Sequence, residues 1–460
     1  MTGQLYLANH PARFWKIGLR PEPEPAEWAL AAASAARLLP ENARSRGTAI
    51  PDLLEMTLGE GQFGPDHWRL SRARRLYYQV KPALPAGLIR RLRRVHRRTV
   101  DAGGEFALGW PIEDRYPRFL WETVGRLLAS RGVTEVPFMS FWPEGRRSAL
   151  VLTHDIETAA GQAFVPVLAA LEERLGFRSS FNFVAERYPL DGGLIRDLSN
   201  RGFEVGVHGL KHDGHLFRSR EEFERRARKI NGHLRGLGAV GFRAPLTHRE
   251  PEWMQSLNVE YDLSFFDTDP YEPIPGGTMS IWPFQLGRFV ELPYTLPQDF
   301  TLFQVVRESS PRLWLEKTAF LARFFGMALV NTHPDYLKEE GRLDTYSAFL
   351  EEMRYIDGYW AALPRDVARW WRLRSVAKDA SQLAGAAEGV IRCDELGEVQ
   401  VVPPRRSAGE GESWGGRATT HSEGPANLVS ASPHVPGAAV QSALSIPREA
   451  PYRTLQGGHG

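Results

Sequence analysis

The sequence is poor in cysteine, in net charge and in long hydrophobic runs. Its single cysteine, Cys393, excludes an intramolecular disulfide framework and a zinc site built from several thiolates. The formal charge of +2 gives no overall attraction to nucleic acid or to a membrane surface. The first residues lack the apolar core of a secretory signal, and apolar stretches such as 320–330 are too short to span a bilayer. We therefore expect a cytoplasmic protein with no nucleic-acid partner.

The composition and hydrophobic pattern of the 460 residues predict three parts. Residues 1–146 mix helical patterns with proline-rich joints and predict a mainly helical N-terminal region. In residues 147–374, short apolar runs alternate with amphipathic stretches, which is typical of repeated β-α units and predicts an α/β fold. Residues 375–460 are rich in Gly, Ser, Ala and Pro, and they predict a low-complexity, disordered C-terminal tail.

The periodicity of the middle part places its elements. The predicted strands are 148–154, 179–184, 203–207, 239–243, 261–266, 289–294 and 327–332. The predicted helices are 159–175, 192–201, 219–236, 250–257 and 311–325.

Two carboxylates follow the first predicted strand. Asp155 follows the apolar run 149–152, so it should emerge at the carboxyl end of a buried strand. Glu157 lies two residues further on, which returns its side chain to the same side of an extended segment. One carboxylate can hold a metal ion while the other takes a proton from water. Alternatively, Asp155 or Thr158 caps the helix that is predicted to follow.

Two histidines follow the third predicted strand. A separation of four residues places His208 and His212 on one face of a helical turn, and Gly209 between them allows a close backbone approach. Either histidine can instead be structural. Asp213 and His215 lie nearby and can act as further ligands or as hydrogen-bond partners.

A carboxylate with two imidazoles fits zinc or a similar divalent metal ion and leaves a position open for water. Such an ion lowers the pKa of water and stabilises an oxyanion, so these residues favour a metal-dependent hydrolase. His333 ends another apolar strand and is the best candidate for the proton donor, unless it is a hydrogen-bonded core histidine. Asp335 or another acid is expected to orient it.

The order of these motifs resembles the polysaccharide deacetylase family, which has a NodB homology domain like that of family 4 carbohydrate esterases. Members carry Thr-Phe-Asp-Asp-Gly, His-Ser/Gly-x-x-His, Arg-x-Pro, an Asp-containing aromatic segment and Leu-x-x-His, in that order. The resemblance covers about residues 148 to 336, and five motifs in sequence are more specific than any one. The matching segments are 153–157 (THDIE), 208–212 (HGLKH), 243–245 (RAP), 266–271 (FDTDPY) and 329–333 (LVNTH).

The resemblance implies a distorted (β/α)7-type barrel and a role for each matched residue. Asp155 matches the catalytic base, His208 and His212 match metal ligands, Arg243 matches the residue that positions the base, and His333 matches the general acid. The implied reaction removes an N-acetyl group from an amino sugar and releases acetate: Asp155 takes a proton from water, and His333 protonates the departing amine.

One position departs from the family pattern. The second aspartate of the first motif, normally the carboxylate metal ligand, is replaced by Ile156. Some members look as though they shift this ligand by one residue, so we assign it to Glu157.

The implied partner is a glycan or a lipid-linked amino sugar. Trp282 is a further aromatic candidate for the sugar site, although such residues are often part of the core. The residues expected to bind the substrate are Pro245, His248, Asp269, Tyr271 and Tyr294.

Residues 88–98 place an apolar stripe against six arginines. This pattern is typical of a membrane-surface helix, which would give a peripheral membrane contact, or of a solvated basic face packed on its own domain.

Two other functions fit the same residues. One is an amide hydrolase acting on a small non-sugar substrate. The other is a catalytically silent, glycan-binding barrel, which Ile156 would favour and a bound metal ion would contradict.

Overall fold

The computed structural model describes residues 2–65, 67–70 and 106–404. The basic segment 88–98 and the part of the predicted tail after residue 404 lie outside these ranges. The helices are α1 (Pro11–Trp15), α2 (Pro25–Ala35), α3 (Ile50–Thr57), α4 (Arg115–Ser130), α5 (Ala159–Arg174), α6 (Gly192–Asn200), α7 (Arg220–Leu237), α8 (Pro251–Met254), α9 (Arg312–Arg323), α10 (Pro334–Leu337), α11 (Arg342–Met353) and α12 (Pro364–Val376). The strands are β1 (Glu135–Met139), β2 (Ser148–Ile156), β3 (Ser180–Phe183), β4 (Glu204–Val207), β5 (Gly241–Phe242), β6 (Tyr261–Asp262), β7 (Phe284–Leu286), β8 (Phe289–Glu291), β9 (Met327–Thr332), β10 (Tyr359–Ala361), β11 (Glu388–Cys393) and β12 (Val399–Val402).

A curled, nearly all-parallel sheet forms the centre of the molecule. From β2 the strands pair in the order β3, β4, β5, β6 and β8, and all of these pairs are parallel. β9 and β10 also pair with β2 in parallel, and β7 forms an antiparallel pair with β8. Beyond β8, the N–H groups of Thr295 and Leu296 donate to the carbonyl of Leu329 on β9, which brings the two ends of the curl together. The predicted distorted (β/α) barrel is confirmed, and all seven predicted strands lie on it.

Helices α5, α6 and α7 each follow a strand and cover the outside of the sheet. Thr158 caps α5, because its hydroxyl accepts a hydrogen bond from the N–H of Gly161, and Ser219 caps α7 through the N–H of Glu222. Asp155 therefore does not cap α5, and its carboxylate needs another explanation.

The N-terminal region packs directly on the barrel. Trp121 of α4 stacks on Trp282 with the ring centroids 5.7 Å apart, so Trp282 belongs to the core and not to a sugar site. Glu60 makes a buried, two-bond ion pair with Arg249, with nitrogen–oxygen distances of 2.7 and 2.6 Å. The N–H of Gly277 also donates to Glu60, so this one carboxylate ties the region to two barrel loops.

The predicted start of the disordered tail, at residue 375, lies too early in the sequence. Helix α12 runs to Val376, and β11 and β12 form an antiparallel three-stranded sheet with β1 of the N-terminal region. The prediction of disorder is therefore wrong for the strands within 388–402. No helix of the described residues combines the length and the apolar character that crossing a membrane requires.

Candidate active site

The predicted catalytic residues meet at the carboxyl ends of the parallel strands. Asp155 is the second-last residue of β2 and Glu157 follows that strand, while His208 follows β4, Arg243 follows β5 and His333 follows β9. Parallel neighbouring strands end at the same edge of the sheet, so four separate strand ends deliver these five side chains to one place.

Glu157, His208 and His212 form the cluster that fits a metal ion among the described residues. One donor atom from each lies within 4.8 Å of the other two. Glu157 Oε1 is 3.0 Å from His212 Nε2. His212 has a φ of 52°, a left-handed backbone conformation that is rare outside glycine and is often held at functional sites.

The two histidines do not lie on a helical turn, so that expectation is wrong. Residues 208–212 form an irregular loop, yet the two imidazole centroids are 5.1 Å apart. Gly209 has a φ of 65°, and a Cβ there would lie 2.4 Å from Pro245 Cγ. Pro245, expected to bind substrate, thus packs against the loop that carries both histidines.

His208 is prepared to bind a metal ion through Nε2. Its Nδ1 lies 3.1 Å from the carbonyl oxygen of Arg243, which can only accept, so Nδ1 carries the proton and donates it. Nε2 is buried and has no hydrogen-bond partner among the described residues. Burial lowers the pKa of His208 to about 4, although Asp155 works against this shift. The imidazole is therefore neutral near pH 7, with a lone pair on Nε2.

Asp155 is a buried carboxylate, and both of its oxygens accept hydrogen bonds. Oδ1 accepts from Arg243 at 3.0 Å and from Asn182 at 3.1 Å, and Oδ2 accepts from Asn331 at 2.9 Å. Burial favours the neutral acid, but Arg243, His208 and His333 outweigh it and hold the pKa of Asp155 well below its ordinary value. Oδ2 also lies 3.9 Å from Nε2 of both histidines, so this oxygen faces the metal cluster.

His333 is oriented by Asp299 and not by Asp335. Nδ1 of His333 lies 2.7 Å from Asp299 Oδ1, and its backbone N–H donates to Oδ2 at 2.7 Å. Burial favours the neutral ring, but Asp299 outweighs it and raises the pKa of His333 to about 10. Asp335 instead accepts from the hydroxyl of Thr158. The ring of His333 thus points Nε2 at Glu157, 3.7 Å away.

Two neighbours of the histidine loop have other partners. Asp213 accepts two hydrogen bonds from Arg226, at 2.7 and 2.9 Å, and neither Asp213 nor His215 belongs to the metal cluster. His215 is largely exposed, with Asp213 at 3.6 Å.

The remaining predicted substrate residues lie on loops near the site, at different depths. Asp269 is fully buried and accepts from the hydroxyl of Tyr294 at 3.3 Å, and Tyr294 itself is 1% exposed. Tyr271 is half-buried, with its ring edge-on to Trp110. His248 is buried in the wall of a cavity that reaches the N-terminal region.

Sequence reasoning missed four residues of the site. Asn182, Asp299 and Asn331 contact the predicted catalytic residues, and Gln298 bridges Asn331 to the buried carboxylate of Glu272. Asn182 and Asn331 each stood in a predicted apolar strand, where an amide is unusual, and this was the available signal.

No protein-family model and no curated protein matches the chain. Similar solved structures include a Mycobacterium smegmatis protein assigned as a polysaccharide deacetylase, with 18% identity over 52% of this chain and 95% of that one and a TM-score of 0.43. They also include Puue allantoinase, with 16% identity over 50% and 92% and a TM-score of 0.41. The peptidoglycan deacetylase PdaC of Bacillus subtilis has 12% identity over 50% and 93%, with a TM-score of 0.33. Deacetylases of the family that the motifs resemble are thus among the structural neighbours. The reaction proposed below is inferred from the residues of the site itself.

Proposed function

We propose that this chain is a metal-dependent hydrolase of amide bonds that removes N-acetyl groups from the amino sugars of a glycan. One observation carries the proposal. Donor atoms of Glu157, His208 and His212 lie within 4.8 Å of one another. The buried carboxylate of Asp155 lies 3.9 Å from Nε2 of His208, and Nε2 of His333 lies 3.7 Å from Glu157.

The three converging residues suit a zinc-like ion. One carboxylate and two imidazoles are a common ligand set of catalytic zinc, and the buried Nε2 of His208 lacks any other partner among the described residues. A bound ion would lower the pKa of water and stabilise the oxyanion formed at the acetyl carbonyl.

Asp155 accepts the proton of the attacking water. Arg243 and Asn182 occupy Oδ1, whereas Oδ2 faces the site and keeps a lone pair beyond the one that Asn331 uses. Because Arg243 keeps the carboxylate ionised, the base is ready near pH 7.

His333 delivers a proton to the leaving amine nitrogen. Asp299 fixes the ring through Nδ1 and stabilises its protonated form, so Nε2 carries the proton toward the site. Base and acid thus stand on neighbouring strands, β2 and β9, with the reacting bond between them.

The size of the neighbouring cavity favours a glycan over a small amide. It measures about 1070 Å³ within the described residues, at the upper end of the range of small-molecule sites.

Metal content and acetate release, measured on the same protein, test the proposal. We expect about one divalent ion per chain and acetate release from some members of a panel of N-acetylated glycans. His208→Ala should lose both, whereas His233→Ala, a histidine on α7 away from the site, should keep both. Full metal occupancy in His208→Ala would refute the ligand assignment. Asp155→Asn should keep the metal and lose hydrolysis, and undiminished acetate release would refute the base assignment.

A further inference from the structure

A large cavity lies between the N-terminal region and the barrel. Its walls come from two barrel segments, within 213–220 and 248–253, and from the N-terminal region, which contributes Tyr6, Arg46, Glu55 and residues within 59–70. The first barrel segment directly follows the metal-ligand candidate His212, and the second begins at His248, a predicted substrate residue. The cavity therefore reaches His248 and the residue that follows His212, and it extends to a part of the chain that the family resemblance does not cover.

Aromatic rings line this cavity. Trp253 lies nearly parallel to Phe217, with the planes 17° apart and the centroids separated by 6.3 Å. Trp68, from the N-terminal region, is half-buried in the same wall and is held by the guanidinium of Arg249, 5.3 Å from its centroid. Rigid tryptophan rings provide flat apolar faces, which suit the C–H faces of sugar rings.

The polar lining is balanced in charge. Both signs occur in similar number, and most of these groups already form ion pairs, such as Arg46 with Glu55 and Asp213 with Arg226. The side chain of Arg218 is exposed and has no hydrogen bond or ion pair within the described residues, so its guanidinium donors are available. Aromatic faces beside paired charges and free donors fit a neutral, hydroxyl-rich ligand better than a strongly charged one.

We infer that this cavity is a sugar-binding subsite for the units of the glycan next to the reacting amino sugar, with Trp68, Trp253 and Arg218 as its contacts. The inference rests on the proposed function and deepens it, because it makes the substrate an oligosaccharide. It also gives the N-terminal region a role in binding.

Acetate release from oligomers of N-acetylglucosamine, containing one to five sugars, tests the subsite. For the unmodified protein, kcat/KM should rise by about tenfold or more from one sugar to three, since tenfold corresponds to one good contact. Trp253→Ala and Arg218→Ala should reduce this ratio toward one. Trp360→Ala removes a half-buried tryptophan of β10 outside the cavity and should leave the ratio unchanged. Arg218→Ala alters an exposed side chain, so a folding defect would not explain its effect.

The outcomes separate the subsite from the reaction. The subsite would be overturned if kcat/KM for acetate release did not depend on oligomer length. It would also be overturned if the ratio of kcat/KM for three sugars to that for one sugar were unchanged in both cavity variants. Either result would leave the proposed reaction standing. If no oligomer releases acetate, the proposed reaction fails for these sugars, and calorimetric titration decides the subsite. Tighter binding of the trimer than of the monomer, lost in Arg218→Ala, would support it; equal or undetectable binding would overturn it.

Discussion

Removing the charge of Asp155 should cost stability as well as activity. Each oxygen of this carboxylate faces donors: Arg243 and Asn182 at Oδ1, and Asn331 at Oδ2. In Asp155→Asn, the new NH₂ group must face at least one of them. Asn331 cannot turn to accept, because its own oxygen is 2.5 Å from Arg243.

The magnitude follows from burial. Arg243 is 0% and Asp155 is 2% exposed, so loss of the carboxylate leaves a guanidinium buried without its counter-charge. Breaking such a pair typically costs about 3–5 kcal/mol. Arg243→Met should cost a similar amount, since it strands the carboxylate instead. The double variant removes both charges, so its cost should be lower than the sum of the single costs by about 2 kcal/mol or more.

Urea unfolding followed by tryptophan fluorescence, with a chelator present, measures these costs without a contribution from bound metal. The exposed pair Arg392–Glu135 is the control, since its side chains are 58% and 57% exposed. Its disruption should cost less than about 1 kcal/mol. Single variants at the buried pair that each cost under about 1 kcal/mol, or costs that simply add, would refute the reasoning.

Three further predictions concern Glu204, His333 and a bound metal ion. Burial raises the pKa of Glu204 to about 7, above its ordinary value of 4.5, so its ionisation weakens the fold as pH rises through this window. The free energy of unfolding of Glu204→Gln, measured in urea relative to that of the unmodified protein, should increase by up to about 3 kcal/mol between about pH 5 and pH 8. If the variant and the unmodified protein differ by the same free energy at both pH values, the prediction is wrong. Asp299→Asn should lower the pKa of the alkaline limb in the pH profile of acetate release, because His333 loses its counter-charge and gives up its proton at lower pH. An unshifted alkaline limb would contradict this role of Asp299. Chelation should lower the melting temperature of the unmodified protein but not that of His208→Ala, as scanning calorimetry can show.

The barrel was predictable because its signals are local. An apolar run such as 149–152 defines a buried strand, and a polar residue after it marks the strand's end, which is where Asp155, His208 and His333 lie. Asp299 carries no such signal. Its contact with His333 joins residues that are 34 positions apart, and the chain between them runs through helix α9 and strand β9, so the contact depends on the folded barrel. The composition averaged over 375–460 predicted disorder, and this average concealed two strands of six and four residues.

Ile156 stands where the motif that this chain resembles has its second aspartate, and the length of β2 gives a structural reason for the difference. This strand remains paired through Ile156, which lies opposite Phe183 on β3, so side chains alternate up to its last residue. His154 bonds to Glu172 of the covering helix α5, which places it and Ile156 on the outer, apolar face. Asp155 and Glu157 then share the inner face. A carboxylate at position 156 would be buried against helices and could not reach the histidines, whereas Glu157, one residue beyond the strand, lies 3.0 Å from His212. In the proposed ligand set, the extra extended residue thus moves the carboxylate by one position.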